Sequence, residues 1–111
     1  MEKILNKVHL SENLEFLRLI ESDFIDLVYI DPPFYTGVDY GEFTDLWTSL
    51  DDYLGFMALR IEEIRRILKE TGSFYCHCDA NAVFDLKLLC DQIFNKANFR
   101  REIIWNVGSV S

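Results

Sequence analysis

Short apolar runs alternate with helical periods along the whole chain. Lys7 to Leu10, "KVHL", predicts a short strand, and Leu14, Leu17 and Ile20 within "ENLEFLRLI" are spaced for one face of a helix. Residues 25 to 30, "IDLVYI", form a nearly continuous apolar run with β-branched members, the pattern of a strand covered on both faces. A loop over 35–48 follows, and then the clearest element. Leu50, Leu54, Met57, Ile61, Ile64 and Leu68 alternate spacings of four and three, which predicts one long helix with an inward apolar stripe. Ser49 with Asp52 three residues on resembles a capping box, and Gly72 after basic Lys69 reads as the helix stop. "SFYCHC" predicts a strand ending at Asp79, "ANAVFDLKLLCDQIF" a helix with Val83, Leu86, Cys90 and Ile93 inward, and "FRREIIW" a last strand.

Strand and helix in alternation imply parallel strands joined by right-handed crossovers. The expected fold is α/β, a Rossmann-like parallel sheet with flanking helices. Ligands in such sheets sit beyond the carboxyl ends of the strands. Asp31 and Asp79 both fall there. Asp79 has a structural duty available, as N-cap of the helix behind it; Asp31 has no helix to cap. The loop over 35–48 holds two glycines, several acids and four aromatic residues in no clear period, as a functional lid or binding segment would.

Composition narrows the possibilities. The chain has 111 residues, 50% of them hydrophobic, enough for one folded domain. No apolar run approaches a membrane-spanning length, and "MEKILNKVHLSE" lacks the apolar core of a secretory signal, so the expected compartment is the cytoplasm. A formal charge of -8 argues against a DNA-gripping surface spread over this chain. The three cysteines, Cys76, Cys78 and Cys90, do not form a disulfide framework. In a strand Cys76 and Cys78 face one way and His77 the other, and no second ligand cluster accompanies them, so they are expected as core cysteines rather than zinc ligands.

The chemistry is concentrated in "DLVYIDPPFYTG". Pro32 and Pro33 end a strand because neither donates a ladder hydrogen bond. That does not account for the carboxylate and two rings around them. An exocyclic amine on a nucleobase is a poor nucleophile because its lone pair is delocalised into the ring. Two acceptors on its N–H bonds pull the nitrogen toward tetrahedral geometry; the Asp31 carboxylate and the Pro32 carbonyl can be that pair. Phe34 offers a face on which an extruded base replaces its lost stacking. A methyl sulfonium would be the electrophile, its charge favoured near a carboxylate.

"DPPF" after an apolar strand resembles motif IV of the amino-group DNA methyltransferases. The resemblance continues in order through "NKVHLSENLEFL", "VYIDPPFYTG", "ILKETGS", "FYCHCD", "LKLLCDQIF" and "NFRREIIW", segments similar to those of site-specific enzymes from restriction-modification systems. It implies a partial methyltransferase fold, S-adenosylmethionine as cofactor, and Asp31, Pro32, Pro33 and Phe34 as the catalytic motif. It also implies cofactor contacts at Asp31 and Glu12, Glu12 standing where the family often has the aspartate of a Gly-Asp pair and Ser11 where it has the glycine. Phe34 and Tyr35 are expected beside the base, Tyr35 replacing a common asparagine. Ala80 stands where relatives often carry proline, and His77 is shared with the pattern and expected as a core or rim residue.

No glycine-rich segment like the family's F-x-G-x-G cofactor motif occurs, since all five glycines are isolated. The chain is therefore expected to be the catalytic-motif half of a methyltransferase domain, residues 1–111, without the cofactor loop and target-recognition region. Adenine in DNA is the expected substrate of the intact enzyme, because cytosine enzymes more often resemble a Ser-Pro-Pro pattern. The alternatives are cytosine amino methylation, methylation of RNA or a glutamine amide, or an inert α/β fragment acting as an interaction module. Expected partners are DNA, gripped mainly outside this chain, and a second copy or a restriction subunit, with no membrane.

Overall fold

The computed structural model describes residues 1–108. Five regular elements follow one another: α1 (Asn13–Leu19), β1 (Ile25–Ile30), α2 (Leu50–Ile67), β2 (Leu68–Cys76) and α3 (Val83–Phe94), with a short 3-10 turn at Lys96–Asn98. The fold is α/β, and β1 and β2 pair in parallel as one two-stranded sheet. Among the described residues no helix is long and apolar enough to cross a membrane.

Helix α2 is the spine. Ser49 caps it by accepting from the Asp52 amide at 3.1 Å, as the capping pattern predicts. Its buried face carries Tyr53, Met57, Ile61, Ile64 and Ile67. Tyr53, Met57 and Ile61 join Ala82 and Leu86 in the core, against which Ile30, Phe74, Cys76, Cys78, Cys90 and Ile93 pack. The stripe is therefore core, rotated toward Tyr53 at its N-terminal end, where Leu50 and Leu54 are only half-buried. Helix α1 lies on the other flank of α2, tied by Arg66, whose Nη2 donates to the Leu17 carbonyl at 3.0 Å.

Four expectations are corrected. The run 25–30 is a strand, but only one face is covered: α2 and α3 pack on the side of Ile30, Phe74 and Cys76, while Leu27 and Tyr29 are 59% and 60% exposed. "KVHL" is not a strand. It has no pairing neighbour, Val8 and Leu10 are fully exposed, and His9 folds back to hydrogen-bond the Ile4 carbonyl at 2.8 Å. "FRREIIW" is likewise unpaired, and Ile103, Ile104 and Trp105 remain exposed, with no described element packed over them. Gly72 does not stop α2. The helix ends at Ile67 and the chain passes directly into β2.

Gly72 has a different task. Between the pairs Ile25↔Leu68 and Leu27↔Ser73, β2 advances further than β1 and must bulge outward. Lys69 pins the bulge by donating to Asp26 at 3.0 Å. Gly72 lets the backbone return: a Cβ there would meet Leu68 Cδ2 at 2.9 Å, the Lys69 carbonyl at 3.0 Å and the Asp26 carbonyl at 3.2 Å. Two of those three neighbours are backbone and cannot yield cheaply. Gly55, in the exposed middle of α2, has nothing within 4 Å of such a Cβ.

The two glycines should respond oppositely to the same substitution. Gly72→Ala should lower stability by about 1–3 kcal/mol through overpacking, whereas Gly55→Ala should raise it by up to about 1 kcal/mol through helix propensity. Chemical denaturation of both variants measures the pair; equal effects would show that Gly72 is not held by close approach.

Candidate active site

The segment after β1 is fixed from two sides. Tyr53, fully buried on α2, donates its hydroxyl to the Pro33 carbonyl at 2.6 Å. Burial drives the phenol far above its ordinary pKa, so it remains a donor. On the other side stands Asp45, only 1% exposed. Its Oδ1 accepts from the Tyr35 amide at 3.1 Å and Trp47 Nε1 at 2.7 Å. Its Oδ2 accepts from the Thr36 amide at 2.6 Å and the Thr36 hydroxyl at 2.7 Å. Burial alone would raise the Asp45 pKa, but the bonds from Thr36, Trp47 and Tyr35 outweigh it and hold the carboxyl below its ordinary value of 3.8. Backbone bonds from Gly37 to the Asp45 carbonyl at 3.1 Å and from Asp45 to the Val38 carbonyl at 2.9 Å complete the clasp.

Held this way, the turn presents the Asp31 carboxylate and the Pro32 carbonyl without hydrogen-bond donors from the described residues. Among the described residues none donates a hydrogen bond to the Asp31 carboxylate or the Pro32 carbonyl, and the nearest basic atom to Asp31 is His77 Nδ1, at 3.8 Å. His77 sits immediately after β2. Its amide donates to the Ile30 carbonyl at 2.9 Å, its Nδ1 is hydrogen-bonded to the Tyr29 hydroxyl at 2.7 Å, and its ring lies 5.4 Å from that of Phe34. It is thus a half-exposed rim residue with a satisfied nitrogen, and it backs Phe34. The 31–34 turn, Tyr40, Phe43 and Asp45 line a cleft of about 520 Å³.

The other candidate positions fall differently. The carboxylate of Glu12 is engaged within the protein: it caps α1 through the Leu14 and Glu15 amides at 3.1 and 2.9 Å and takes Arg60 Nη2 at 2.7 Å. The two amide bonds, ahead of Arg60, hold its pKa below the ordinary value. Tyr35, expected beside the base, has a positive φ of 63° and lays its ring against Tyr53 at 5.2 Å, toward the core. It also contributes its amide to Asp45. Asp79 does not cap α3 directly. Its carboxylate accepts from the Asn81 amide at 2.9 Å, holding the turn before the helix, and the N-cap is Ala82. Burial pushes Cys76 up to about 12 and Cys90 up to about 11, as inert core thiols.

Two of the most important groups, Tyr53 and Asp45, escape the sequence pattern. Tyr53 continues the i+4 spacing of Met57 and Ile61, which carries a hint, since a buried tyrosine needs a partner for its hydroxyl. Asp45 is one of several acids in an aperiodic loop, and nothing local separates it from its exposed neighbours.

Residues 25–110 match the family model described as DNA methylase. Among curated proteins, the chain is 29% identical over 85% of its length to the type III restriction-modification enzyme StyLTI Mod subunit of Salmonella typhimurium, of which it covers 19%. It is 32% identical over 73% of its length to the type II methyltransferase M.EcaI of Enterobacter cloacae, covering 19% of that protein. It is 26% identical over 84% of its length to the DNA adenine methyltransferase YhdJ of Escherichia coli, covering 30%. The chain therefore spans less than a third of the length of each of these relatives.

The clasp makes a pH-resolved prediction. Asp45→Asn replaces one acceptor oxygen with an N–H group that faces buried donors, and should cost about 1–3 kcal/mol at neutral pH. Because the folded pKa of Asp45 is lowered, its stabilisation is complete above the ordinary 3.8 and is lost as pH falls below that value and through the lowered one. The stability gap between wild type and variant should therefore narrow as the pH falls below 3.8. A gap that stays constant in pH-dependent denaturation would contradict the lowered pKa.

Proposed function

The chain belongs to the DNA methylase family, and from that premise we propose that Asp31, Pro32, Pro33 and Phe34 form the methyl-transfer site of an enzyme that methylates the exocyclic amine of adenine in DNA. The observation that carries this reading is the pair of acceptors, the Asp31 carboxylate and the Pro32 carbonyl, that the described residues leave without donors while they engage Pro33 and Asp45. An amine entering the cleft can donate one hydrogen to each. The nitrogen then moves toward tetrahedral geometry and its lone pair becomes available. Methyl transfer would form the N–C bond as the methyl–sulfur bond breaks, so the positive charge would pass from sulfur to nitrogen beside the Asp31 carboxylate, which would stabilise it before the amine releases a proton to solvent. Phe34, backed by His77, gives the extruded base a stacking face.

S-adenosylmethionine would supply the methyl group on a positively charged sulfur. On this chain the open Asp31 carboxylate fits such a charge, whereas Glu12 is committed to α1 and Arg60. Adenine is supported by the name of one relative, a DNA adenine methyltransferase, and a restriction-modification setting with a restriction subunit as partner by the Mod-subunit relative. With a net charge of -8, this segment contributes little to phosphate binding and meets DNA at the base.

Transfer of labelled methyl from S-adenosylmethionine to unmethylated bacteriophage DNA by the intact protein, followed by nucleoside analysis, tests substrate and base together; label in methyladenine is expected, and label in methylcytosine would overturn the adenine assignment. Asp31→Ala should lower the single-turnover rate about a hundredfold or more, roughly 3 kcal/mol of barrier. Its fold should persist, since the carboxylate is exposed. A folded Asp31→Ala enzyme with a near-normal rate would remove Asp31 from the mechanism.

A further inference from the structure

The loop that carries Asp45 also builds a second aromatic surface. Asp39 and Thr44 form an antiparallel bridge, the Tyr40 amide donates to the Phe43 carbonyl at 2.9 Å, and Gly41, at a φ of 84°, turns the tip. Tyr40 and Phe43 thereby become a cross-strand pair, their rings stacked at 4.8 Å with planes 22° apart. Both are half-exposed, at 49% and 56%, although each is large and apolar. Both line the same cleft as the 31–34 turn.

We propose that the Tyr40–Phe43 pair is the second wall of the base pocket, receiving the extruded base against Phe34, with Asp45 as the residue that positions it; this rests on the methyl-transfer reading above. The positioning is a chain of hydrogen bonds. The Thr36 hydroxyl spends its single hydrogen on Asp45 Oδ2 at 2.7 Å, so the Tyr40 hydroxyl, 3.2 Å away, must donate to Thr36. Tyr40 is thus tethered at its tip, and Phe43 is held by stacking on it. The volume of about 520 Å³ lies within the range of small-ligand sites, about 300–1,000 Å³.

Charge selects the occupant. Among the described residues Asp31 and Asp45 are the only charged ones that line the cleft, no Lys or Arg does, and the hairpin adds Asp39 and Glu42. A phosphate is repelled there. A neutral, flat heterocycle bearing N–H donors is favoured, because it stacks on rings and satisfies Asp31. Leaving the duplex costs a base its stacking and pairing, least when it is mismatched, and two aromatic walls return more of that cost than Phe34 alone.

The test uses the intact protein and a duplex carrying the site that the labelling experiment defines. Tyr40→Ala and Phe43→Ala should each lower the single-turnover rate on the paired duplex by about tenfold, as the loss of one stacking contact implies. The deficit should shrink when the target base is mismatched, because extrusion is then cheaper. Tyr40→Phe, which keeps the ring but cuts its tether to Thr36, should have a rate between those of wild type and Tyr40→Ala, and thermal unfolding of the alanine variants should show that they remain folded. Rates indistinguishable from wild type would overturn the proposal, as would a deficit of the same size on paired and mismatched duplexes. If Phe34→Ala is slow while the Tyr40 and Phe43 variants are not, the second wall fails and the methyl-transfer site stands. If the wild-type protein transfers no methyl to DNA, both fail.

Discussion

The buried carboxylate of Asp45 is the interaction on which the site depends. It collects the amides of Tyr35 and Thr36, the Thr36 hydroxyl and the Trp47 indole onto its two oxygens. A loop that leaves a strand through two prolines has no ladder to hold it, and its amides must be satisfied elsewhere. Asp45 satisfies them at one point, and Tyr53 closes the other end by taking the Pro33 carbonyl. Burying a charge is costly unless it is fully hydrogen-bonded, and here the bonds prevail, since the carboxyl titrates below its ordinary range.

The consequence is a division between satisfied and unsatisfied acceptors within a few residues. Pro33 and Asp45 accept hydrogen bonds from the protein, and among the described residues Asp31 and Pro32 do not. A flexible loop could not maintain that distinction, because any free acceptor would find a donor by rearrangement. Rigidity is supplied from below by α2, whose Tyr53 is packed among Tyr35, Trp47 and Met57 in the core. The same helix therefore stabilises the fold and aims the turn. His77, arriving from β2, adds the lateral support for Phe34, so both strands of the sheet converge on one spot at their carboxyl ends, as the α/β rule requires.

Most of this frame was legible in the residue pattern because it depends on local periodicity. β1, α2 and α3 follow from apolar spacing, and the placement of Asp31 beyond β1 follows from the proline pair. The failures have a common physical origin. "KVHL" and "FRREIIW" have strand-like composition, but a strand exists only with a pairing neighbour, and neither segment lies along an edge of the β1–β2 sheet. Gly72 has the sequence context of a helix stop, yet its role is set by a bulge whose crowding comes from Asp26 on the other strand. Glu12 and Tyr35 are expected beside cofactor and base by resemblance alone; the structure shows Glu12 capping α1 and paired with Arg60, and the Tyr35 ring against Tyr53. Asp45 was illegible because its donors come together only after the loop has folded.

The position of the base is the most direct measure of whether this turn is the reaction site. A duplex with 5-iodouracil in place of the target base, irradiated in complex with the intact protein and digested for mass spectrometry, reports which residues touch it. If the base enters the cleft, adducts should fall on the aromatic residues between Phe34 and Phe43. Efficient cross-linking confined to positions outside residues 31–45 would contradict the assignment of this cleft to the base, and with it the role of Asp31 and Pro32 as the acceptors that activate the amine.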